Sequence, residues 1–324
     1  MALSRLFHFV LWLVWSAPFG HAQELSFANF ASETHIVNLG LIPALDAELQ
    51  SVTAGSVSVR AYHRGELGRG PVEQYVRAIQ QVADITWGLH GYTSAQFPRT
   101  MIVEMPGVVP AEGSGADALC RAMPVIDREF PGTRPIALWT SDPAIMVMRD
   151  RIVRFPRDLK GLKIRVAGAS AGRMAEALGA IPVQIPINHV RAALDTGLID
   201  GVFTSASAIT DFNLNEVAGV LVRGAPLGRL SFFAVMSDRS YEALPKAAQN
   251  AIDGLDRCAL GNIAEAALRD NADAAITRAR EERTAVVVDL TDIQIRAFER
   301  ALKGVVADYV DGVDGQDVYE ALKN

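Results

Sequence analysis

Apolar positions along this chain recur in two rhythms, short runs with the period of a strand and longer stretches with the period of a helix. Leu25–Phe30, Val57–Tyr62, a run ending near Trp87–Leu89, and Ile136–Trp139 read as strands. A helix with Leu45, Leu49 and Val52 inward and Gly55 as its stop separates the first two. His63 to Gly70 is a tight turn, Pro71 suits a first helical position, and residues 116–130 read as helix. Ser141-Asp142-Pro143 is a turn fit for a crossover, and Ile145–Arg149 opens a second group of elements. Residues 156–206 then give a short turn, a strand, a helix, a strand, a helix and a strand. Asp158 suits a cap for the turn at Leu159–Lys160, and Asn188 a cap for a helix that Gly197 ends. Val220–Arg223 and Ser231–Met236 are further strands, the second returning to the first group. Pro245 to Glu282 is almost unbroken helix former and would run about 57 Å as one helix, with Gly254 and Gly261-Asn262 as breaks. Thr284–Leu290 is a strand, Thr291 with Gln294 forms a capping box, and two helices finish the chain. Strands alternating with helices in two groups predict an α/β protein.

The length, 324 residues, suits one large or two medium domains. Half the residues are apolar and 21% charged, an ordinary globular balance. A net charge of −6 argues against a nucleic-acid partner, though it leaves room for an anionic ligand held by a local arginine. Residues 1–22 carry a signal-peptide pattern: Arg5, the apolar run Leu6–Trp15, and the small-residue site Gly20-His21-Ala22. No later stretch approaches the roughly 18 apolar residues of a membrane-spanning helix. Cys120 and Cys258 are the only cysteines. One pair in a chain this long is no disulfide framework, and both suit apolar helix faces, so they are expected to be unpaired.

Two features invite a chemical reading. Lys163–Val166 is a buried-strand pattern carrying one inward charge, Arg165, and a buried guanidinium requires an internal or incoming carboxylate. Gly168-Ala169-Ser170-Ala171-Gly172 matches the nucleophile elbow of hydrolases, between a strand and a helix. That elbow needs an acid and then a histidine further along the chain. Only His189 follows, with Glu176 alone between, so Ser170 is expected to let the backbone approach a ligand rather than to catalyse. The six histidines show no helical zinc spacing, and no metal centre is expected. His35 and His90 lie on loops that could face a cleft but are expected at the surface, and His189 is expected to be solvated.

The run Asp158-Leu159-Lys160-Gly161-Leu162-Lys163-Ile164-Arg165-Val166 resembles a motif of the solute-binding proteins of tripartite ATP-independent periplasmic (TRAP) transporters. Leu178-Gly179-Ala180-x-Pro182-Val183, Ala193 to Gly197 and Asp200-Gly201 follow in that family's order and spacing, as do Tyr92 and Phe97-Pro98 earlier. The resemblance covers essentially residues 24–310. It implies a periplasmic-binding-protein-like fold: two α/β lobes around a ligand cleft, with a long helix spanning both. The expected division is residues 23–142 plus about 230–270 for the first lobe, and 143–229 plus about 271–324 for the second. It also implies a monomer without catalysis or cofactor that captures a small carboxylate in the periplasm and delivers it to membrane permease subunits. A sensory protein serving a receptor kinase and a Ser170 hydrolase are the rival readings.

Carried across, the family arginine that grips the carboxylate is Arg165. Thr204, with Phe203 beside it, stands where many members have asparagine, Ile145 where the sialic-acid branch has an arginine, and Ala167 where a proline is common. Leu89 and Phe30 replace polar contacts of the first lobe, and Glu33 lies on a polar loop suited to a cleft. Trp139 and Phe232 are aromatic candidates near the crossovers. These departures keep the carboxylate anchor and favour a smaller or more apolar acid than a sugar.

Overall fold

A computed structural model describes residues 23–323; the signal-peptide reading of residues 1–22 lies outside them. In chain order the elements begin β1 (Gln23–Ala28), α1 (Ile36–Val52), β2 (Val57–Tyr62), α2 (Gln74–Ile79), β3 (Ile85–Leu89), α3 (Gly115–Ile126) and β4 (Thr133–Thr140). Then come β5 (Ile145–Met148), β6 (Lys163–Val166), α4 (Ala169–Ala177), β7 (Ile181–Gln184), α5 (Val190–Asp195), β8 (Gly201–Thr204), α6 (Ala208–Asp211) and β9 (Val220–Arg223). The chain ends with β10 (Ser231–Ser237), α7 (Asp238–Glu242), α8 (Lys246–Asp253), α9 (Arg257–Glu281), β11 (Val286–Asp289), α10 (Asp292–Ala301), α11 (Val305–Gly312) and α12 (Gln316–Lys323).

Two sheets make two lobes. The first has the strand order β2-β1-β3-β10-β4, the second β11-β9-β5-β8-β6-β7. β10 returns from the second group of strands to run antiparallel between β3 and β4, in the first group as expected. The two crossovers pair with each other: Ser141 N–H donates to Leu230 O at 2.8 Å and Ala144 N–H to Gly228 O at 2.9 Å. They form two adjacent connecting segments between the lobes.

The long helical stretch breaks between Asp253 and Arg257, where Gly254 ends α8. The 25 residues of α9 still span about 37 Å at 1.5 Å per residue, and α9 packs on α1, α3 and β4 of the first lobe and on α6 and β11 of the second. Glu265, near its middle, accepts the N–H groups of Gly115 and Ala116 at the start of α3 and of Thr140 at the end of β4. One buried carboxylate thus ties the spanning helix to two elements of the first lobe. Among the described residues no helix is long and apolar enough to cross a membrane.

Several local expectations are corrected. Cys120 and Cys258 form a disulfide, because α3 and α9 lie side by side and bring the two Cα atoms to 5.9 Å. Val52 is exposed, on the last turn of α1, where the chain leaves the core. Pro71 precedes α2 by three residues and opens the turn that leads into it, not the helix itself. Asp158 reaches back to the N–H groups of Arg154 and Phe155 instead of capping forward. Asn188 sits inside a short 3-10 turn that begins at Ile187, so it is not the cap of the following helix. Three helices finish the chain, and α12 packs on α3, sharing a core with Phe97 and Met101. Residues 316–323 therefore lie with the first lobe, in contrast to the expected assignment of 271–324 to the second.

Candidate functional site

Residues at the carboxyl ends of the parallel strands face one another between the lobes, as open α/β sheets dispose their ligand sites. Arg165 is the third residue of β6, flanked by β7 and β8. It is 1% exposed. Its Nε donates to Ile185 O at 2.8 Å and its Nη2 to Tyr92 Oη at 3.1 Å. Among the described residues its other three N–H groups make no hydrogen bond, and no carboxylate lies within salt-bridge distance. Another buried arginine, Arg229, is fully engaged by the protein. It donates to the carbonyls of Pro110, Ala111, Gly113 and Ser141 and has Glu265 at 3.8 Å. Arg229 is a structural brace; Arg165 is held in position and left with donors to spare.

Tyr92 completes this end of the site. Its hydroxyl accepts from Arg165 across the cleft and from Ile187 N–H at 3.0 Å, so both lone pairs are used and its own proton is free to be donated. Arg165 and Tyr92 together line a cavity with Phe30, Leu89, Thr204 and Phe232. Further around its wall come Trp87, Phe212, His35 and Asp211. Phe30 lies 4.7 Å from Trp87 and 6.5 Å from Phe212 between ring centroids, so aromatic faces dominate one side. The Trp87 indole N–H is already spent on Asn38 Oδ1 at 2.8 Å.

Two titratable groups on this wall depart from ordinary acidity. Burial pushes the Asp211 carboxyl up to about 7, against the opposing pull of hydrogen bonds from Ile36 and Asn271. Burial pushes His35 down to about 4, so its ring is neutral near pH 7.

Of the ten sequence candidates, Arg165, Thr204, Phe30, Leu89 and Phe232 line the cavity, and five do not. Phe203 points to the opposite face of β8 from Thr204 and is buried in the core. Ile145 packs with Val147 and Leu221 beneath the second sheet. Ala167 presents its backbone to Gly91. Trp139 is fully buried behind Phe232, its ring stacked on that ring at 5.5 Å. Glu33 is exposed and paired with Arg64 at 2.8 Å, which holds its carboxyl low, at about 2.

Sequence reasoning missed Asp211, Phe212 and Trp87. The first two follow the carboxyl end of β8, a position that could have marked them. His35 and His90, expected at the surface, are both buried: His35 caps α1, and His90 sits among Phe97, Phe130 and Phe233. His189 is exposed as expected. Ser170 is fully buried and its hydroxyl donates to Glu104, outside the cavity, with no histidine in contact. Glu104 also accepts from the N–H and hydroxyl of Ser231, and burial raises its pKa. The elbow-like sequence is thus a buried link between lobes. Among the described residues, no group of three metal-ligating side chains comes together.

Comparison with known proteins identifies the family and the fold. Residues 27–311 match DctP, the bacterial extracellular solute-binding protein family 7. This chain belongs to that family. A family relative from Albidiferax ferrireducens, described as a solute-binding protein, is 27% identical over 267 residues, covering 80% of this chain and 77% of its own length. Among solved structures, a TRAP solute-binding protein from Rhodoferax ferrireducens, in complex with copurified benzoate, superposes with a TM-score of 0.86 at 23% identity. The match covers 93% of this chain and 96% of that one. A TRAP periplasmic solute-binding protein from Bordetella bronchiseptica, with bound (R)- and (S)-mandelate, gives 0.83 at 23% identity, covering 93% and 97%. At these identities the likeness is one of fold, the two-lobe fold of transport solute-binding proteins. Members of this family bind small ligands and work with membrane permease components.

Proposed function

We propose that this family 7 solute-binding protein captures a small aromatic monocarboxylate outside the cytoplasm and delivers it to TRAP-type permease subunits. The observation that carries this reading is Arg165, a buried guanidinium with uncommitted donors on a cavity and no protein carboxylate beside it. A charge so situated needs an anion, and a carboxylate matches the planar fork of the guanidinium bidentately. The free Tyr92 proton adds a third donor. The rings of Phe30, Trp87 and Phe232 supply flat apolar contact, which favours an aromatic body over a sugar. Benzoate and mandelate, the ligands of two structural neighbours, belong to this class. Export is supported by the signal pattern of residues 1–22 and by the disulfide, a bond that persists in oxidising compartments.

Calorimetric titration with benzoate tests the anchor. Removing one partner of a desolvated charge pair costs about 2–5 kcal/mol, so Arg165→Ala is expected to weaken binding roughly 30-fold to several-thousand-fold. Arg165→Lys recovers only part, since an ammonium keeps the charge and loses the fork. Ligand-free melting temperatures are expected to change little. Unaltered affinity in Arg165→Ala, with a collapse in melting temperature instead, would make Arg165 a second structural brace and remove the proposal.

A further inference from the structure

We infer that His35 and Asp211 form a second recognition point in the cavity, one that reads a hydroxyl group carried by the captured acid. The inference rests on the carboxylate reading, with Arg165 as the first point. Asp211 ends α6, and its side chain is 6% exposed. Its Oδ2 is buried and has no hydrogen-bond partner among the described residues, although buried polar atoms are normally satisfied. His35 stands opposite, in the turn that starts α1. Its Nδ1 accepts the N–H of Val37 at 3.2 Å, which leaves the proton of the neutral ring on Nε2. That Nε2 lies 3.6 Å from Asp211 Oδ2, too far for a hydrogen bond. The pair therefore offers one acceptor and one donor side by side on the cavity wall.

A hydroxyl is the smallest group that satisfies both, donating to Oδ2 while accepting from Nε2–H. An ammonium would suit Asp211 but would leave the His35 donor without an acceptor. At pH 8, where Asp211 is ionised, a second carboxylate would bring a like charge against it in a desolvated site, a costly arrangement. The rings of Trp87 and Phe212 lie 5.3 Å and 5.7 Å from that of His35 and screen the pair from water. The ligand class that follows is a hydroxy-substituted aromatic monocarboxylate, not a dicarboxylate or an amino acid.

Titration of the protein with benzoate and with 2-, 3- and 4-hydroxybenzoate reads the inference directly. At least one hydroxy isomer is expected to bind about tenfold or more tighter than benzoate, the scale of one hydrogen bond to a charged group. In Asp211→Leu that ratio should fall to about threefold or less, with benzoate itself binding tighter once the buried acid no longer opposes its charge. If Asp211→Leu does not fold, Asp211→Asn, which keeps an acceptor and loses the charge, should reduce the ratio several-fold. No preference for any isomer in the wild type, or a preference unchanged in the variants, overturns this inference while the Arg165 anchor stands. Failure of benzoate and all three isomers to bind removes the aromatic-acid reading and this inference with it.

Discussion

Charge inside this protein is handled one residue at a time. Arg229 is enclosed by carbonyls and Glu265, whereas Arg165 keeps unspent donors, and Asp211 is the complementary case of an acid without a cation. Asp211 has a consequence for stability. Its folded-state pKa of about 7 exceeds the ordinary 3.8, so between these values the folded protein holds a proton that the unfolded chain releases. Its contribution to stability therefore falls as pH rises from about 4 to about 7 and is level above. His35, lowered from 6.5 to about 4, acts with the opposite sign between those values and does so in parent and variant alike. Asp211→Asn cannot titrate, so the ligand-free variant should gain on the parent across that window. At about 1.4 kcal/mol per pKa unit the gain is at most about 4 kcal/mol. Urea midpoints at pH 5 and pH 8 check this, and an equal difference at both would refute it. Arg165 was legible in the sequence because it stands between Ile164 and Val166 in a buried strand pattern and falls on the motif's arginine. Asp211 was not, because its short helix has no periodicity and its surroundings, the His35–Ile36 turn and Asn271 of α9, are distant in sequence.

At the scale of elements, strands and helices alternate as the apolar spacing predicts, and the capping box at Thr291 with Gln294 is present. What the spacing does not carry is contact between elements distant in sequence: the α3–α9 disulfide, the return of α12 to the first lobe, and the side on which a strand-end residue such as Phe203 or Thr204 falls. Close approach of the lobes is of the same kind. A Cβ on Gly168 would lie 2.5 Å from Gly91 Cα and 2.8 Å from its carbonyl oxygen. Gly168 is extended, with φ −163°, so alanine meets no backbone strain there and only space is at issue. Gly168→Ala should prop the lobes apart and penalise the ligand-bound arrangement by the cost of overpacking, about 1–3 kcal/mol, or roughly 5- to 150-fold in affinity. Benzoate titration checks this, and wild-type affinity in the variant would show that the contact is not needed for binding.

The whole molecule is two lobes held by a pair of connecting segments and one spanning helix, which leaves hinge closure as its natural motion. The Cys120–Cys258 bond joins that helix to α3 and closes a loop of 138 residues in sequence. Reducing it should lower the unfolding free energy by about 2–4 kcal/mol, the usual effect of cross-linking the unfolded chain. Denaturant curves with and without reductant measure it; coincident curves would mean the bond does not contribute. The strand order of the first sheet has another consequence. β4 touches no sheet neighbour but β10, and its partners lie roughly a hundred residues later in the chain. During synthesis the first sheet waits for β10, made after most of the second, and the second sheet waits in turn for β11. Such long-range pairing folds slowly. The expectation is a nascent polypeptide that completes its tertiary structure only late in elongation, which would suit the export proposed above, since a narrow translocation pore passes only unfolded chain.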